Sequence, residues 1–422
     1  MYTSLIKIYI NREELDTAWQ IFDLIKYRST ETAPDVQTFT LMIHACALRG
    51  EAERALDLFR YMTETRGLEP DEPAYNALIH ACAVRKDHFL EAWKFAIEMR
   101  NKGLLVGRWT LNHLLQACGK NGDITRARLL LRLMMSSESA ELQPDERSFQ
   151  NLLRAYAAAK LTPGPNQAFP QDALFLSPLP GGIQKLDKAK EARLPFLSDQ
   201  VLTGKKRILV EAKSTLRYIV DFKPEFYSTR ILNAYMDVCL TRHGRHEIRR
   251  VFTEYFAKVP YIDDTPIDSS YDAYSSDTED ASEDAEDELG EGSDEVLRSA
   301  DKPKKNIFTF EVALEYARKA GNAKFAKQVW EERMRFCQTK SYWDMLQPIR
   351  YRLDFSAEKL MLQTLAKAGH LQEALERLEV LRYEYEWKPS DLKPLYDKAR
   401  EAEDLEAVFA LRKVLNLDDK RW

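Results

Sequence analysis

The chain has 422 residues, of which 45% are hydrophobic, and its formal net charge is −5 at pH 7. This apolar content is enough to bury a core, which excludes a chain that is disordered throughout. The sequence contains no apolar run of about eighteen residues, so it predicts no membrane span.

Residues 1–160 carry helical apolar stripes that recur at a fixed interval. The heptapeptide that begins at Ile43 reads Ile-His-Ala-Cys-Ala-Leu-Arg, and a close copy begins 36 residues later at Ile79. After another 36 residues, Leu-Gln-Ala-Cys begins at Leu115. Self-similarity of this kind is the signature of stacked repeats. It predicts an all-α solenoid of helix-turn-helix repeats that form a superhelix.

A glycine followed five residues later by an alanine marks the turn inside several repeats. Glycine permits the backbone conformation that ends a helix, and alanine lets the second helix approach the first. Because two of the marks lie in the C-terminal part, we expect the array to continue there. The marks are Gly50/Ala55, Gly122/Ala127, Gly321/Ala326 and Gly369/Ala374.

The cysteines indicate a reducing compartment without disulfides. Cys46, Cys82 and Cys118 occupy equivalent positions on the apolar stripe, where small buried side chains are expected. His44 and His80 stand two residues before a cysteine and so point to a different side of the helix. We therefore predict no metal site and no cofactor.

Composition divides the chain into five segments. Residues 261–300 hold fifteen acidic residues against one arginine, so this part is expected to be disordered, and the rest of the chain carries a charge near +9. The predicted segments are 1–160 with well-matched repeats, 161–204 as a Pro/Gly-rich insertion, 205–260 with degenerate helical repeats, 261–303 as the acidic insertion, and 304–422 with degenerate C-terminal repeats.

Two basic clusters lie in the middle of the sequence. Each is either a solvated helical face or a contact for the backbone of a polyanion such as RNA. The clusters are Lys205, Lys206 and Arg207, and Arg242, Arg245, Arg249 and Arg250.

Three repeats end in Pro-Asp, at Pro34-Asp35, Pro70-Asp71 and Pro144-Asp145. This ending resembles that of pentatricopeptide repeats. The repeat interval, the large residue that opens the first helix and the alanine near its end resemble them too. Within this family, the chain resembles a fungal-type mitochondrial member. The resemblance implies binding of single-stranded RNA in the mitochondrion. No targeting segment is visible. Because residues 1–6 already read as a helix, we expect upstream sequence to be missing.

The resemblance also implies that each repeat reads one base with two side chains, namely the residue after the opening aromatic and the last residue of the repeat. The implied order of bases is guanine, guanine, pyrimidine, uracil. The alternative is that each of these residues only caps a helix. The pairs are Thr3 with Asp35, Thr40 with Asp71, Asn76 with Gly107, and Asn112 with Asp145. Thr229, Glu311 and Lys359 occupy similar places later, without an assigned base.

We found no catalytic motif, so the sequence predicts a non-catalytic RNA-binding protein that acts in processing, stability or translation of mitochondrial mRNA or rRNA. A structural scaffold or assembly component of a mitochondrial ribonucleoprotein, such as the mitoribosome, is the alternative, and its partners would include ribosomal proteins. A tetratricopeptide-like peptide binder is disfavoured, because its concave face would carry basic residues in place of Thr and Asn.

Overall fold

The structure is a computed structural model, and the described part of it is helical. Its only extended pairing is an isolated bridge between Ala257 and Lys304, so the predicted all-α fold is confirmed there. No described helix is long and apolar enough to cross a bilayer. Most of the two predicted insertions lies outside the described residues. These residues are 2–26, 33–137, 139–160, 197, 202, 204–242, 244–259 and 302–415.

The chain divides into two compact units, which we call the first and the second unit. The first unit comprises Met1–Ile219 with Asp237–His243, and the second comprises Val220–Met236 with Gly244–Trp422.

The early helices form successive pairs. From the first repeat to the fourth, each first helix packs against its own second helix and against the first helix of the next repeat, which is the contact pattern of a solenoid. These helices are α1 (Tyr2–Asn11), α2 (Leu15–Lys26), α3 (Val36–Arg49), α4 (Ala52–Arg60), α5 (Glu72–Ala83), α6 (Phe89–Asn101), α7 (Arg108–Asn121), α8 (Ile124–Ser136), α9 (Glu146–Ala158) and α10 (Lys205–Phe222).

The later helices repeat this pattern with less regular lengths. In the second unit α13 packs on α14 and α16, and α16 packs on α17 and α18. The helices are α11 (Thr229–Thr241), α12 (Arg245–Arg250), α13 (Ile307–Ala320), α14 (Ala323–Cys337), α15 (Lys340–Trp343), α16 (Gln347–Lys367), α17 (Leu371–Leu381), α18 (Pro389–Glu401) and α19 (Leu405–Val414). Single π-helical turns extend α4 and α12, at Tyr61–Thr65 and Val251–Tyr255.

The glycine-alanine marks lie where the sequence placed them. All four glycines adopt a left-handed conformation, and all four alanines are fully buried. Gly122, with φ of 73°, has the tightest surroundings, since a Cβ added there would lie 2.3 Å from the carbonyl oxygen of Ala158. Only glycine fits between α7 and the end of α9.

The three equivalent cysteines are fully buried, as predicted. Burial raises the pKa of the Cys46 and Cys82 thiols to about 12, so both are inert core side chains. His44 and His80 are only half-buried and lie apart from this core.

A buried polar cluster fixes α10 against the repeats that precede it in the first unit. The Glu211 carboxylate accepts hydrogen bonds from Arg128 Nε at 2.7 Å and from the Tyr156 hydroxyl at 2.6 Å. Burial raises the pKa of Glu211. Loss of Arg128 would leave the buried Glu211 carboxylate without its hydrogen-bonded cation.

Candidate nucleic-acid interface

A groove of about 750 Å³ crosses the first helices of four successive repeats in the first unit. Equivalent positions on α3, α5, α7 and α9 supply its walls, so its lining repeats with the fold. The lining residues are Thr40, Leu41, His44, Pro73, Asn76, Ala77, His80, Trp109, Asn112, His113, Gln116, Arg147, Gln150, Asn151 and Arg154.

The groove brings together three of the predicted base-reading residues. Thr40, Asn76 and Asn112 line it from successive repeats, and Gln150 stands at the next equivalent position. Thr3 lies one repeat earlier, with its hydroxyl oxygen 2.9 Å from that of Thr38. An extended ligand in this groove would therefore meet one such side chain per repeat.

The three predicted aspartates cap the helices that follow them, as the alternative interpretation proposed. Asp35, Asp71 and Asp145 each accept a hydrogen bond from a backbone N–H three residues later, at 2.8, 2.9 and 3.0 Å. Gly107 occupies the same place before α7 and has no side chain to offer. Capping holds each carboxylate in a fixed position.

Capping and pairing occur together at Asp145. Asn112 Nδ2 donates to Asp145 Oδ1 at 3.1 Å and to Oδ2 at 3.2 Å. Because a carboxylate only accepts hydrogen bonds, the amide nitrogen must face it, and the amide oxygen faces the other way. The Ser148 hydroxyl then donates to Asn112 Oδ1 at 2.7 Å. We call this arrangement of amide, cap and hydroxyl the reading triad.

Hydroxyls like that of Ser148 recur in other repeats, although the sequence patterns described above did not predict their role. Thr110 Oγ1 donates to Asn76 Oδ1 at 2.7 Å, just as Ser148 serves Asn112. Thr40 is the exception, because the corresponding residue of the next repeat is Ala74. The Thr40 hydroxyl instead donates to the Val36 carbonyl at 2.8 Å.

Flat side chains supply the remaining surface of the groove. Trp109 is 65% exposed although it is a large aromatic residue, and the guanidinium of Arg147 lies 5.8 Å from its ring centroid. Indole and guanidinium planes are surfaces on which nucleic-acid bases stack.

A column of imidazoles continues this surface. His80 and His113 are stacked with ring centroids 4.4 Å apart, and His44 follows at 5.9 Å from His80. Burial, reinforced by neighbouring cationic groups, lowers the pKa of His80 to about 3, and burial lowers that of His113 to about 4. The column is therefore neutral at pH 7 and can stack but not pair with phosphate.

Models of the pentatricopeptide repeat match the part of the chain that builds this groove. The "PPR repeat family" matches residues 34–84, the "Pentatricopeptide repeat domain" matches residues 63–121, and the "PPR repeat" matches residues 1–29 and 109–138. About the first third of the chain is therefore similar to pentatricopeptide repeats.

Fungal proteins similar to this chain carry one common description. The mitochondrial 15S rRNA processing factor CCM1 of Debaryomyces hansenii is 24% identical over 94% of the chain and 53% of its own length. The mitochondrial 15S rRNA processing factor ppr3 of Schizosaccharomyces japonicus is 23% identical over 98% of the chain and 58% of its own length. The chain thus spans about half the length of the curated relatives it matches.

A crystal structure of the pentatricopeptide repeat protein PPR10 from maize aligns with 98% of the chain and 53% of its own length, at 15% identity and a TM-score of 0.46.

The predicted basic contacts with the RNA backbone differ in their exposure. Lys206, Arg207 and Arg249 are exposed, Lys205 is half-buried, and Arg250 lies close to Glu247 and Glu254. The side chain of Arg245 lies outside the described part.

Arg242 was wrongly predicted as an RNA-backbone contact. It is 6% exposed and donates to the carbonyl oxygens of Tyr156, Ala157 and Ala159 at 2.9, 2.9 and 2.7 Å. Its guanidinium therefore satisfies the carbonyls that end α9, where a phosphate cannot reach it.

A second reading triad lies in the second unit, where the sequence analysis assigned no base. Asn233 Nδ2 donates to Asn306 Oδ1 at 3.1 Å, and the Thr309 hydroxyl donates to Asn233 Oδ1 at 2.8 Å. The prediction that Thr229 occupies the base-reading position of this repeat is wrong, because Asn233 stands there, four residues later. Thr229 opens α11 and donates to the Lys304 carbonyl at 2.6 Å. A sequence motif could have identified this triad, namely Asp/Asn-x-x-Thr/Ser-Phe, which begins at Asp35, Asp145 and Asn306.

One cluster outside the groove has the composition of a metal site but also contains a cation. Glu53, Asp87 and His88 can each offer a ligand atom. However, Arg85 Nη2 lies 2.5 Å from Asp87 Oδ2 and 3.3 Å from Glu53 Oε1. This guanidinium already neutralises both carboxylates, so we assign no metal there.

Proposed function

We propose that this chain binds single-stranded RNA in the groove of the first unit and acts without catalysis in the processing of mitochondrial ribosomal RNA. Thr3, Thr40, Asn76 and Asn112 read successive bases, with Asp35, Asp71 and Asp145 as second contacts. The exposed basic side chains Lys206, Arg207 and Arg249 contact the phosphate backbone, helped by Lys205, Arg245 and Arg250.

The reading triad at Asn112 is the observation that carries this proposal. Asp145 accepts hydrogen bonds at two oxygens, and a carboxylate oxygen takes about two partners each, so Oδ2 retains capacity for an N–H of a ligand. The ring N3–H of uracil is such a donor. Trp109 and Arg147 line the same groove and offer planes on which the base can stack.

The mitochondrial rRNA assignment rests on the common description of the fungal relatives. Masking or exposing a single-stranded segment changes where other enzymes cut, so a binding protein can act in processing without breaking a bond itself. Cross-linking of the tagged full-length protein in its own cells tests this. Reads should concentrate on mitochondrial rRNA, and their absence there would contradict the assignment.

Base reading is tested by measuring affinities for four short RNAs that differ only at the base facing Asn112. The parent chain should prefer uracil. Asn112→Thr should shift the preference to guanine and change the affinity ratio by about 5–30-fold, which corresponds to roughly 1–2 kcal/mol. Asn101→Thr, the same substitution at an exposed residue outside the groove, is the matched control.

Two outcomes would overturn the proposal. If Asn112→Thr and the parent rank the four RNAs identically, Asn112 only supports the fold. If the parent binds all RNAs weakly and with equal affinity, the chain is a scaffold within a ribonucleoprotein.

A further inference from the structure

We propose that the segment between α14 and the middle of α16, in the second unit, is a docking surface for another protein. The surface consists of α15 and the first two turns of α16. Its occupant is an amphipathic helix that carries carboxylates beside an apolar stripe. This inference does not depend on RNA binding, since it concerns a partner protein and a part of the chain outside the groove.

The helix α16 begins earlier than its equivalents in other repeats. The helices α3, α7 and α13 have 14 residues each and end directly before a left-handed glycine. In contrast, α16 has 21 residues and begins 22 residues before its glycine, Gly369. About two turns at the start of α16 are therefore additional to the repeat, and α15 is a further addition.

A carboxylate at the usual place of the cap holds the additional segment. Asp354 stands 15 residues before the glycine of its repeat, just as Asp35 does in the repeat of α3. It lies inside α16, and instead of capping a helix it accepts a hydrogen bond from the Tyr342 hydroxyl at 2.6 Å. The Arg333 guanidinium of α14 also donates to it. These contacts tie α14, α15 and α16 together.

A second contact holds the start of α16 against the turn that follows α17. The Tyr351 hydroxyl donates to the Glu384 carbonyl at 3.1 Å, and the ring centroids of Tyr351 and Tyr385 lie 5.2 Å apart. The additional segment is therefore fixed from two sides. A surface that is ordered before binding loses less conformational entropy when a partner arrives.

The segment exposes large apolar side chains that the fold does not bury. Trp343, Leu346 and Ile349 follow one another at intervals of three residues. Together with Tyr351 they are between 41% and 61% exposed. Single exposed apolar residues are common in proteins, but four within nine residues of one fixed segment are typical of an interaction surface.

The residue types favour a protein over RNA as the occupant. The guanidinium of Arg350 lies 4.5 Å from the ring centroid of Trp343, so the two form one flat surface. Trp, Tyr and Arg are the residues that contribute most binding energy at protein interfaces. Leu346 and Ile349 offer no plane on which a base could stack, whereas an apolar stripe of a helix can pack on both.

The charges of the segment indicate the chemistry of the partner. Residues 340–352 contain Lys340, Arg350 and Arg352 against one acidic residue, Asp344, so their net charge is +2. Lys340 and Arg352 are exposed. Complementary charges around an apolar contact accelerate association and fix the orientation of the partner. A helix with Asp or Glu beside its apolar stripe therefore fits this surface.

Selection from a displayed library of short random peptides on the full-length protein tests this proposal. Enriched peptides are synthesised, and their affinities are measured in the absence of RNA. We expect apolar residues at spacings of three and four, with Asp or Glu beside them. Trp343→Ala should weaken their binding by about 10-fold or more, as expected for a truncated hot spot.

A pair of variants at one position tests the charge. Leu346→Glu and Leu346→Lys remove the same apolar side chain, but only the first places a carboxylate against the carboxylates of the peptide. Leu346→Glu should bind the peptides about 10-fold more weakly than Leu346→Lys, and the difference should shrink at high salt. Phe409→Ala, which removes an exposed phenyl ring on α19, is the control and should leave affinity within about 2-fold.

Three results would overturn the proposal. The first is that the enriched peptides are basic, or that they bind the parent and Trp343→Ala equally. The second is that Trp343→Ala weakens binding of RNA, which would assign the surface to RNA. The third is that sedimentation finds a dimer of the parent and a monomer of Trp343→Ala, which would assign the surface to a second copy. A failure of the parent to bind RNA would contradict only the proposed function.

Discussion

The Asn112 and Asn233 triads have the same geometry, but only the first was recognised from sequence. Asn112 and its cap are 33 residues apart, as the repeat interval requires, whereas Asn233 and its cap are 73 residues apart. The interval therefore depends on what the chain inserts between two helices. The local motif, a cap followed by a hydroxyl and an aromatic residue, is the more reliable mark of a repeat, because hydrogen-bond geometry imposes it.

The two regions also differ in how tightly their helices pack and in which side chains titrate. Gly122 in the first unit faces a backbone carbonyl, whereas the equivalent Gly321 in the second faces only the side chain of Lys367, at 3.6 Å. The imidazole column belongs to the first unit. Each of these differences can be tested by comparing a substitution in the first unit with a similar substitution in the second.

The largest effect should come from Gly122→Ala. The new Cβ would meet the Ala158 carbonyl oxygen, and the left-handed backbone would be strained, so we expect a loss of about 2–5 kcal/mol in the free energy of unfolding. Gly321→Ala should cost only about 1 kcal/mol, since strain acts there without a clash. Urea unfolding of both variants measures this. Equal losses would show that the packing difference has no energetic weight.

Acid should weaken the first unit through its imidazole column. The folded pKa values of His80 and His113 lie below the unfolded value near 6.5, so the unfolded chain binds more protons between about pH 6.5 and pH 4. The stabilisation is complete above pH 6.5 and is lost as the pH falls, at up to about 1.4 kcal/mol per pH unit for each imidazole.

Unfolding by urea at pH 7, 6 and 5 checks this pH dependence. His80→Gln should flatten the slope, while His370→Gln, at an exposed position outside the column, should not. The idea fails if the parent and His80→Gln lose stability in parallel.

The exceptional repeat at Thr40 tests the role of the hydroxyl. Thr40→Asn alone places an amide opposite Ala74, which cannot hold its oxygen. Adding Ala74→Thr should complete the triad and move the preference at that base from guanine to uracil, with a gain of roughly 1 kcal/mol over the single variant. Affinities for four RNAs that differ at that base provide the measurement. A single variant that already matches the double one would show that the hydroxyl has no effect.

The smallest effect should come from Arg249→Gln. Loss of one phosphate contact should weaken all RNAs alike and reduce the slope of log affinity against log salt by about 1. Lys393→Gln, an exposed change on α18, serves as control. A change in base preference with Arg249→Gln would contradict a backbone role.

Most of the fold followed from the sequence because it depends on periodic features. Apolar stripes, left-handed glycines and capping aspartates determine where helices begin, end and pack through contacts between residues close in sequence. Because successive repeats stack on one another, the order of these features in the sequence is also their order in space. The positions of Thr40, Asn76 and Asn112 in one groove followed from the same periodicity.

Contacts between distant residues could not be predicted in this way. Arg242 is buried because its guanidinium binds the carbonyl oxygens at the end of α9. The residues next to Arg242 in the sequence do not reveal this contact. Asn233 pairs with Asn306 across 73 residues of sequence, and the hydroxyl of Thr309 acquires its partner on Asn233 only once the helices are stacked.

The isolated bridge between Ala257 and Lys304 affects how freely the length of the sequence between these two residues can vary. The N–H of Ala257 donates to the Pro303 carbonyl at 3.0 Å, so two points that are 46 residues apart in sequence lie side by side in the second unit. Where two points of a chain are held together, a change in the length of the sequence between them costs little closure entropy, about 0.6 kcal/mol per doubling. This position should therefore accept a fluorescent protein or an affinity tag without disturbing Asn233 and Asn306.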